Sequence, residues 1–470
     1  MMTLDGWRDL FRDRSGTVAV VVGVLIGVLA LVDYRLPVLL LAGVGAAFVG
    51  LSYPSLMVPA LFGAILAEES GRLGAEIAGL PITASKLVVL GMIALALARG
   101  IVERRSPVQW LPTSGGYVAI IASMLFGLTI AGRLGEYQVV PTLGVIMLAV
   151  LAHVIPRLLE VSDLRWVIRL MTIVTLLVLL SNLSAETVES VAQERYSGAY
   201  LDPNMWAMSL LLITPICIAY MAEEDSTGWI FLLVLMVALM LLNVFQSLSR
   251  AGMLALVAVS PTIIWLVWRR RWSFGIALLV TLVLIGGFVS TEAMVDRYST
   301  LVDPDLTEKD GSLQLRTLLA KTAIQIFLDH PILGTGQGTF IDEAIRYTNG
   351  AAYMITHNTY LNVAAELGLY GIIAHAYFYF VILREAAQGF LRAQSRRLRR
   401  LIAGYAAGLL AFGLMSITLN TMQFSMAFFM VGIGTVLARA SHLSRDELDR
   451  IGLGLLGRAR DESPDQSVAA

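Results

Sequence analysis

His357 is the residue best suited to proton transfer. It lies in Thr356-His357-Asn358-Thr359-Tyr360, where a long polar segment meets an apolar stretch. An imidazole ordinarily titrates at about pH 6.5, so it can act as a general acid or base near neutral pH. Water and a lipid headgroup can both reach a histidine at such a boundary. The sequence therefore predicts a catalytic His357. The alternative is a histidine that only caps or flanks the helix that follows.

Three arginines supply a second kind of chemistry. Arg195, Arg250 and Arg316 occur in connections between apolar stretches that are otherwise poor in cations. A guanidinium group can grip two phosphate oxygens at once. An arginine at a membrane boundary is costly unless it is paired or extends to the headgroups. Together they predict a site for a phosphate-bearing ligand, whereas extension to headgroups remains the alternative for each one alone.

Three further side chains are predicted to support this site. Asn358 follows the histidine directly, and Asn204 belongs to Asp202-Pro203-Asn204, which also has the chemistry of a plain helix start. Glu366 follows His357 by nine residues, which places it about 13 Å deeper on a helix. A carboxylate in a membrane usually faces a polar cavity or a partner. Glu366 is thus either a support of the site or a structural anchor.

Metal and cofactor motifs are absent from the sequence. Neither HExxH nor CxxC occurs, and Asp303, Asp305, Glu308 and Asp310 are interpreted as a solvated acidic loop. The glycines at 334, 336 and 338 follow a predicted helix rather than a strand, so they predict a flexible turn and no nucleotide site. We therefore predict no metal and no cofactor. The formal net charge of −1 also gives no reason to expect nucleic acid.

The elements that position these residues are apolar helices. The chain has 470 residues, of which 57% are hydrophobic and 15% charged. A soluble domain carries about 25% charged residues, and the apolar runs do not alternate as barrel strands do. We predict an all-α polytopic membrane protein with about fourteen transmembrane helices, or twelve to fourteen. The predicted spans are 17–32, 36–52, 54–67, 86–102, 116–132, 139–155, 166–182, 204–222, 227–246, 251–268, 273–290, 357–382, 401–418 and 424–438.

The distribution of arginines predicts the orientation. Cytoplasmic connections of membrane proteins are enriched in Lys and Arg. Arginines concentrate in alternate connections, whereas the others are acidic, with Glu68, Glu69 and Glu76 in one and Glu186, Glu189 and Glu194 in another. Both termini are therefore predicted to be cytoplasmic, and His357 and the three arginines external.

The longest predicted connection is 291–356, on the external side of a single integral membrane domain that comprises 1–470. Within it, Leu313, Leu315, Leu318, Leu319, Ile324, Ile326 and Phe327 recur at the spacing of an amphipathic helix lying on the membrane. Asp329-His330-Pro331 is predicted to end that helix. Residues 445–470 are predicted to be a polar cytoplasmic tail.

Four ordered blocks resemble the superfamily of O-antigen ligases and Wzy-type O-antigen and exopolysaccharide polymerases. They cover roughly residues 190–375. The blocks are Arg195…Gly198 with Asp202-Pro203-Asn204; Ser249-Arg250-Ala251-Gly252; Ser312…Arg316 with Asp329-His330-Pro331-Ile332-Leu333-Gly334-Thr335-Gly336; and His357-Asn358-Thr359-Tyr360-Leu361 with Glu366-Leu367-Gly368-Leu369-Tyr370-Gly371.

The resemblance implies a metal-independent glycosyltransferase of the GT-C type in the bacterial inner membrane. Its donor would be a glycan on undecaprenyl pyrophosphate, used at the periplasmic face. His357 would be the general base or position the acceptor, and Arg195, Arg250 and Arg316 would hold the pyrophosphate. Lipid A–core as acceptor and a chain-length regulator are implied as further partners. The blocks do not separate polymerase from ligase, although ligases often have about twelve spans.

Two other classes of function remain open. A secondary transporter or flippase for a lipid-linked or anionic substrate would show broken helices and ionisable groups near the membrane midplane. Glu366 and His375 fit that pattern weakly, because most of the polar chemistry lies at the outer boundary. A non-catalytic membrane scaffold would tolerate loss of His357 or Arg250.

Overall fold

The computed structural model describes residues 50, 52–68, 84–102, 110–132, 134–181, 188–190, 193–195, 202–267, 311–351, 353–451 and 453. These residues are almost entirely helical, as the apolar composition predicts. One small departure is an antiparallel hairpin of β1 (Val188–Ser190) and β2 (Gln193–Arg195), with Val188 opposite Arg195. The predicted spans 17–32 and 273–290, most of 36–52, the acidic stretch 303–310 and most of the tail lie outside the described residues.

The described residues form fourteen α-helices. In chain order they are α1 (Met57–Glu68), α2 (Ala84–Val102), α3 (Ser114–Ala131), α4 (Glu136–Leu158), α5 (Leu164–Ser181), α6 (Pro203–Glu223), α7 (Thr227–Gln246), α8 (Arg250–Val267), α9 (Gly311–Asp329), α10 (Phe340–Tyr347), α11 (Thr359–Arg392), α12 (Arg396–Met415), α13 (Ser425–Ala440) and α14 (Arg445–Arg450).

The membrane character predicted from composition is confirmed. Among the residues that the structure describes, eight helices are long and apolar enough to cross a membrane, and three shorter apolar helices accompany them. Each of these helices falls on one of the predicted spans between 54–67 and 424–438. The total of about fourteen spans stays a prediction, since the remaining stretches are outside the described residues.

Helix α6 is the most enclosed of these helices, and α12 packs closely against it. Gly404 and Gly408 of α12 face the α6 backbone. A Cβ atom at Gly408 would lie 2.1 Å from the carbonyl oxygen of Leu212, and one at Gly404 would lie 2.6 Å from that of Pro215. Small residues four apart let two membrane helices approach backbone to backbone. This contact fixes α6 at the centre of the described bundle.

Charged residues join α5, α6 and α12 at the C-terminal end of α6. We call this the arginine cluster; it consists of Arg165, Arg169, Arg397, Arg400, Glu223, Glu224 and Asp225. Glu224 accepts from Arg165 at 3.0 Å and from Arg169 at 2.9 Å, and its side chain is fully buried. Arg397 pairs with Asp225 at 2.9 Å, and Arg400 pairs with Glu223.

The longest helix, α11, is interrupted at Gly368, whose φ is 60° and ψ is −155°. The segment 331–338 fills the interruption. Gly336 N–H donates to the Glu366 carbonyl at 2.8 Å, and Leu369 N–H donates to the Pro331 carbonyl at 2.8 Å. A Cβ at Gly368 would lie 2.4 Å from the Ile332 oxygen. Irregular backbone at membrane depth needs such internal partners. The turn predicted to be flexible is therefore held in place, because its peptide groups form hydrogen bonds with the backbone of α11.

Candidate functional site

His357 occupies an uncommon backbone conformation. Its φ is 47°, in the left-handed region that side chains other than glycine rarely adopt. The flanking residues hold it there. Thr356 Oγ1 accepts from the Asn358 N–H at 3.1 Å, and the Asn358 carbonyl accepts from the same hydroxyl at 2.7 Å. Strained residues of this kind persist where the surroundings over-determine them, and they cluster at functional sites.

The start of α11 is fixed on both sides of the histidine. Asn358 caps the helix, because its Oδ1 accepts from the Leu361 N–H at 3.0 Å. Thr359 Oγ1 donates to the Leu419 carbonyl at 2.8 Å and accepts from the Thr421 N–H at 2.9 Å. The connection between α12 and α13 therefore anchors His357. Asn358, predicted as a supporting residue, supports it as a helix cap.

The electrostatic surroundings of His357 bring three distant segments together. Burial lowers the pKa of this half-buried imidazole, and the positive charge of Arg316 lowers it further. The negative charge of Asp202 acts in the opposite direction and raises it. Net lowering favours the neutral ring at physiological pH. A neutral imidazole can accept a proton, and the pKa of this one responds to one cation and one anion.

Asp202 and Asn204 connect the histidine to the segment that carries Arg250. Asp202 caps α6 by accepting from the Asn204 N–H at 2.8 Å, and it also accepts from the Asn204 side-chain amide at 2.9 Å. Ser249 Oγ donates to Asn204 Oδ1 at 2.9 Å and accepts from the Gly252 N–H at 3.1 Å. Ser249 thus caps α8, which begins at Arg250. The starts of α6 and α8 are joined by one chain of hydrogen bonds.

Arg316 is carried by α9, which ends at Asp329 as the sequence predicted; the position of this amphipathic helix on the membrane stays a prediction. Its apolar face packs on α10 and α11 through a second core of Leu319, Ala323, Ile326, Phe340, Ala344 and Ala365. Leu328 on another face is 68% exposed. One face of α9 is therefore buried against protein, which fixes Arg316 relative to His357.

Glu366 lies on α11, and its carboxylate binds backbone rather than a cation. Its Oε2 accepts from the Gly338 N–H at 2.9 Å, and its Oε1 accepts from the Phe340 N–H at 3.1 Å. These groups begin α10, where a negative charge is favoured by the helix dipole. Of the two roles left open by the sequence, the contacts are those of an anchor.

Residues 235–376 match the sequence model of a family described as O-antigen ligase. The resemblance inferred from the sequence blocks is confirmed for this part of the chain. No curated protein matches the chain significantly.

The O-antigen ligase match contains Arg250, Arg316, His357, Asn358 and Glu366, whereas Arg195 and Asn204 precede it. The backbone of Arg195 ends β2, and its side chain lies outside the described residues. The structure therefore brings together His357, Arg316 and the Asp202–Asn204 turn, and it connects that turn to Ser249 beside Arg250. Ser249 was not predicted as a site residue, and its position before the arginine at a span start was the available signal.

Proposed function

We propose that this protein, an O-antigen ligase or polymerase type of membrane protein, transfers a glycan from undecaprenyl pyrophosphate to an acceptor hydroxyl. The observation that carries the proposal is the convergence of His357, Arg316 and Asp202 at the start of α11. These residues come from three segments that the chain separates widely. Two of them lie inside the O-antigen ligase match.

The proposed reaction uses each group for one task. The acceptor hydroxyl gives its proton to the neutral His357 ring as its oxygen bonds to the anomeric carbon of the donor. The bond between that carbon and the pyrophosphate oxygen breaks, and the electron pair leaves with the pyrophosphate. Arg316, Arg250 and Arg195 stabilise the charge that develops there, which a metal ion does in other transferases. His357 then releases its proton to water.

The proposed setting is the periplasmic face of the bacterial inner membrane, in a GT-C-type protein of about fourteen spans with both termini cytoplasmic. The arginine cluster supports this orientation, because it lies at the C-terminal end of α6 and the proposed site lies at its N-terminal end. A 21-residue helix separates its ends by about 31 Å, close to the thickness of the hydrocarbon core.

Orientation can be tested with single cysteines. Cys217 is the sole native cysteine, so a Cys217→Ser background can carry either Tyr353→Cys or Asp446→Cys. A membrane-impermeant maleimide applied to spheroplasts should label the first and spare the second. The reverse labelling pattern contradicts the proposed face.

The transfer reaction is tested by reconstitution. The purified chain is given only its lipid-linked repeat unit, and the products are separated by gel electrophoresis. A ladder identifies a polymerase, which uses the same substrate as donor and acceptor. Product that forms only after lipid A–core is added identifies a ligase. No transfer under either condition contradicts the proposal.

The interruption of α11 is the observation that favours the alternative, a transporter or flippase. In transporters the freed carbonyls of a broken helix coordinate the coupling ion. Here the carbonyls of Ala365 and Glu366 accept from Thr335 and Gly336. Because these carbonyls are already hydrogen-bonded to the protein, the interruption is better explained as a structural feature than as an ion site, which favours the transferase.

A further inference from the structure

A polar pocket lies near the start of α11. It has a volume of about 310 Å³ and is formed by α4, α11, the 331–338 segment and the connection between α12 and α13. Its polar wall consists of the side chains of Gln337, Asn362, Glu366, Asn420 and Gln423. This volume is at the lower end of the range for small-molecule sites. Asn362 is one helical turn from Asn358, and its N–H donates to the Asn358 carbonyl, so the pocket adjoins the proposed catalytic site.

Two side-chain oxygens in this pocket lack a hydrogen-bond partner among the described residues: Oε1 of Gln337 and Oδ1 of Asn362. Gln337 is 2% exposed and Asn362 is 4% exposed. A buried carbonyl oxygen without a donor has lost its hydrogen bonds to water and gained none in return, which is destabilising. Such atoms in a pocket therefore indicate a ligand that brings hydrogen-bond donors.

The Asn362 oxygen is available because its amide nitrogen is engaged. The side-chain amide of Asn362 is hydrogen-bonded to the Glu366 carboxylate. Because a carboxylate can only accept hydrogen bonds, the amide nitrogen must be the donor. The Glu366 oxygens are themselves occupied by the N–H groups of Gly338 and Phe340. Glu366 thus orients Asn362 without using up its oxygen.

The charge of the pocket wall disfavours a negatively charged ligand. The described lining contains a carboxylate and four side-chain amides, and it contains no Lys, Arg or His. A carboxylate-bearing ligand would face Glu366 and two acceptor oxygens without a compensating cation. The remainder of the lining is apolar, with Pro141, Ile341, Ile355 and Met422. Hydroxyl or N-acylamino donors on a compact ring with an apolar C–H face match this wall.

We propose that this pocket binds one uncharged sugar residue, and that Gln337 and Asn362 accept hydrogen bonds from its hydroxyl or N-acylamino groups. The proposal rests on the proposed function, in which the substrate is a glycan, and adds a subsite that selects neutral sugars. The pocket would hold the sugar next to the one that reacts at His357.

Binding can be measured without transfer. The full-length chain in nanodiscs is titrated with methyl glycosides of neutral hexoses, N-acetylhexosamines and glucuronic acid, and contact is detected by saturation-transfer difference NMR. We expect at least one neutral glycoside to bind and the glucuronide to bind at least about tenfold more weakly. Failure of every neutral glycoside to bind, or equal binding of the glucuronide, overturns the proposal.

Variants assign the binding to the pocket. Gln337→Met and Asn362→Leu keep most of the side-chain volume and remove the acceptor, so each should weaken binding about tenfold. Gln325→Met, on the exposed side of α9, is the matched control. Thermal unfolding is recorded for all three. If a buried variant does not fold, Gln423→Trp at the exposed rim should still block binding. Unchanged affinity in every folded pocket variant overturns the proposal.

The two proposals fail in different ways. If sugar binding depends on Gln337 but the reconstitution gives no transfer, the proposed transferase activity is contradicted and the proposed sugar-binding pocket is supported. If Gln337→Met transfers glycan with an unchanged KM and an unchanged affinity for the sugar, the proposed sugar-binding role of the pocket is contradicted and the transferase activity is supported.

Discussion

The two ends of α6 carry the same kinds of side chain in different arrangements. In the arginine cluster, Arg165 and Arg169 meet the buried carboxylate of Glu224 directly. At the other end, Asp202 and Arg316 shift the pKa of His357 in opposite directions, and the histidine adopts a left-handed backbone conformation. Direct pairing of opposite charges holds helices together. A titratable group poised between opposite charges and held in a strained conformation is suited to chemistry.

This difference determines the response to acid. The buried Glu224 carboxyl would have a raised pKa from burial alone, but hydrogen bonds from the Ser226 N–H, Arg169, Tyr220 and Arg165 outweigh that effect and lower the pKa to about 2. Its contribution to stability is complete above the ordinary carboxyl pKa of about 4.5 and is lost as the pH falls towards 2. For His357, in contrast, burial and the positive charge of Arg316 lower the pKa from its ordinary value, and the negative charge of Asp202 opposes them.

The largest expected effect is on catalysis at the histidine end. His357→Gln should reduce transfer by about 10²–10⁴-fold, because the proposed general base is lost. Its thermal unfolding temperature should match that of the wild type. His330→Gln, which changes an exposed histidine after α9, should retain activity in the same assay. Full activity of the His357 variant would assign that residue to helix capping.

The next effect separates a phosphate-binding arginine from a surface arginine. Arg316→Ala should lower transfer by about 100-fold, and Arg316→Lys by less, because a lysine keeps the charge without the two-pronged grip. Arg346, which is 73% exposed beside Glu343, supplies the control Arg346→Ala. Equal activity of the two alanine variants in initial-rate measurements would exclude the role proposed for Arg316.

At the opposite end of α6 we expect a loss of stability without a loss of chemistry. Glu224→Gln leaves Arg165 and Arg169 without their carboxylate and should lower the free energy of unfolding by about 2 kcal/mol, since the two arginines are partly solvated. Activity per folded molecule should be unchanged. Glu343→Gln removes an exposed pair and should cost less than about 0.5 kcal/mol. Thermal unfolding in one detergent compares the two; equal melting temperatures would refute the assignment.

The smallest effect is a displacement of the pH profile. Activity should fall in acid as His357 becomes protonated. Asp202 raises the histidine pKa, so Asp202→Asn should move this acidic limb to lower pH. The residual activity of Arg316→Gln should have its acidic limb moved to higher pH, because the positive charge that lowers the histidine pKa is removed. Each shift should be below about one pH unit. Initial rates between pH 5 and 8 measure it, and shifts in the same direction would contradict the arrangement.

Local sequence signals predicted two helix ends well. Asp202 begins α6 and α9 ends at Asp329, because caps depend on neighbouring side chains and backbone groups. The cap of α11 is Asn358, which the sequence predicted as a supporting residue of the site, whereas capping was considered only for His357. The interruption at Gly368 and the anchoring by Glu366 could not be predicted in the same way. Both depend on backbone groups of the 331–338 segment, about thirty residues earlier in the chain. The periodicity of a sequence does not indicate which distant backbone groups will form hydrogen bonds with each other.

The segment that fills the interruption of α11 also sets an order of assembly. Gly368 cannot keep its conformation until Pro331 and Gly336 reach it, and in the proposed orientation those residues enter α11 from the side of the bilayer opposite the synthesising ribosome. The first turns of α11 must therefore mature after insertion, once α9, α10 and the segment have gathered outside. His357 would acquire its strained geometry only at the end of biogenesis, so an incompletely assembled chain would carry the motif without the active centre.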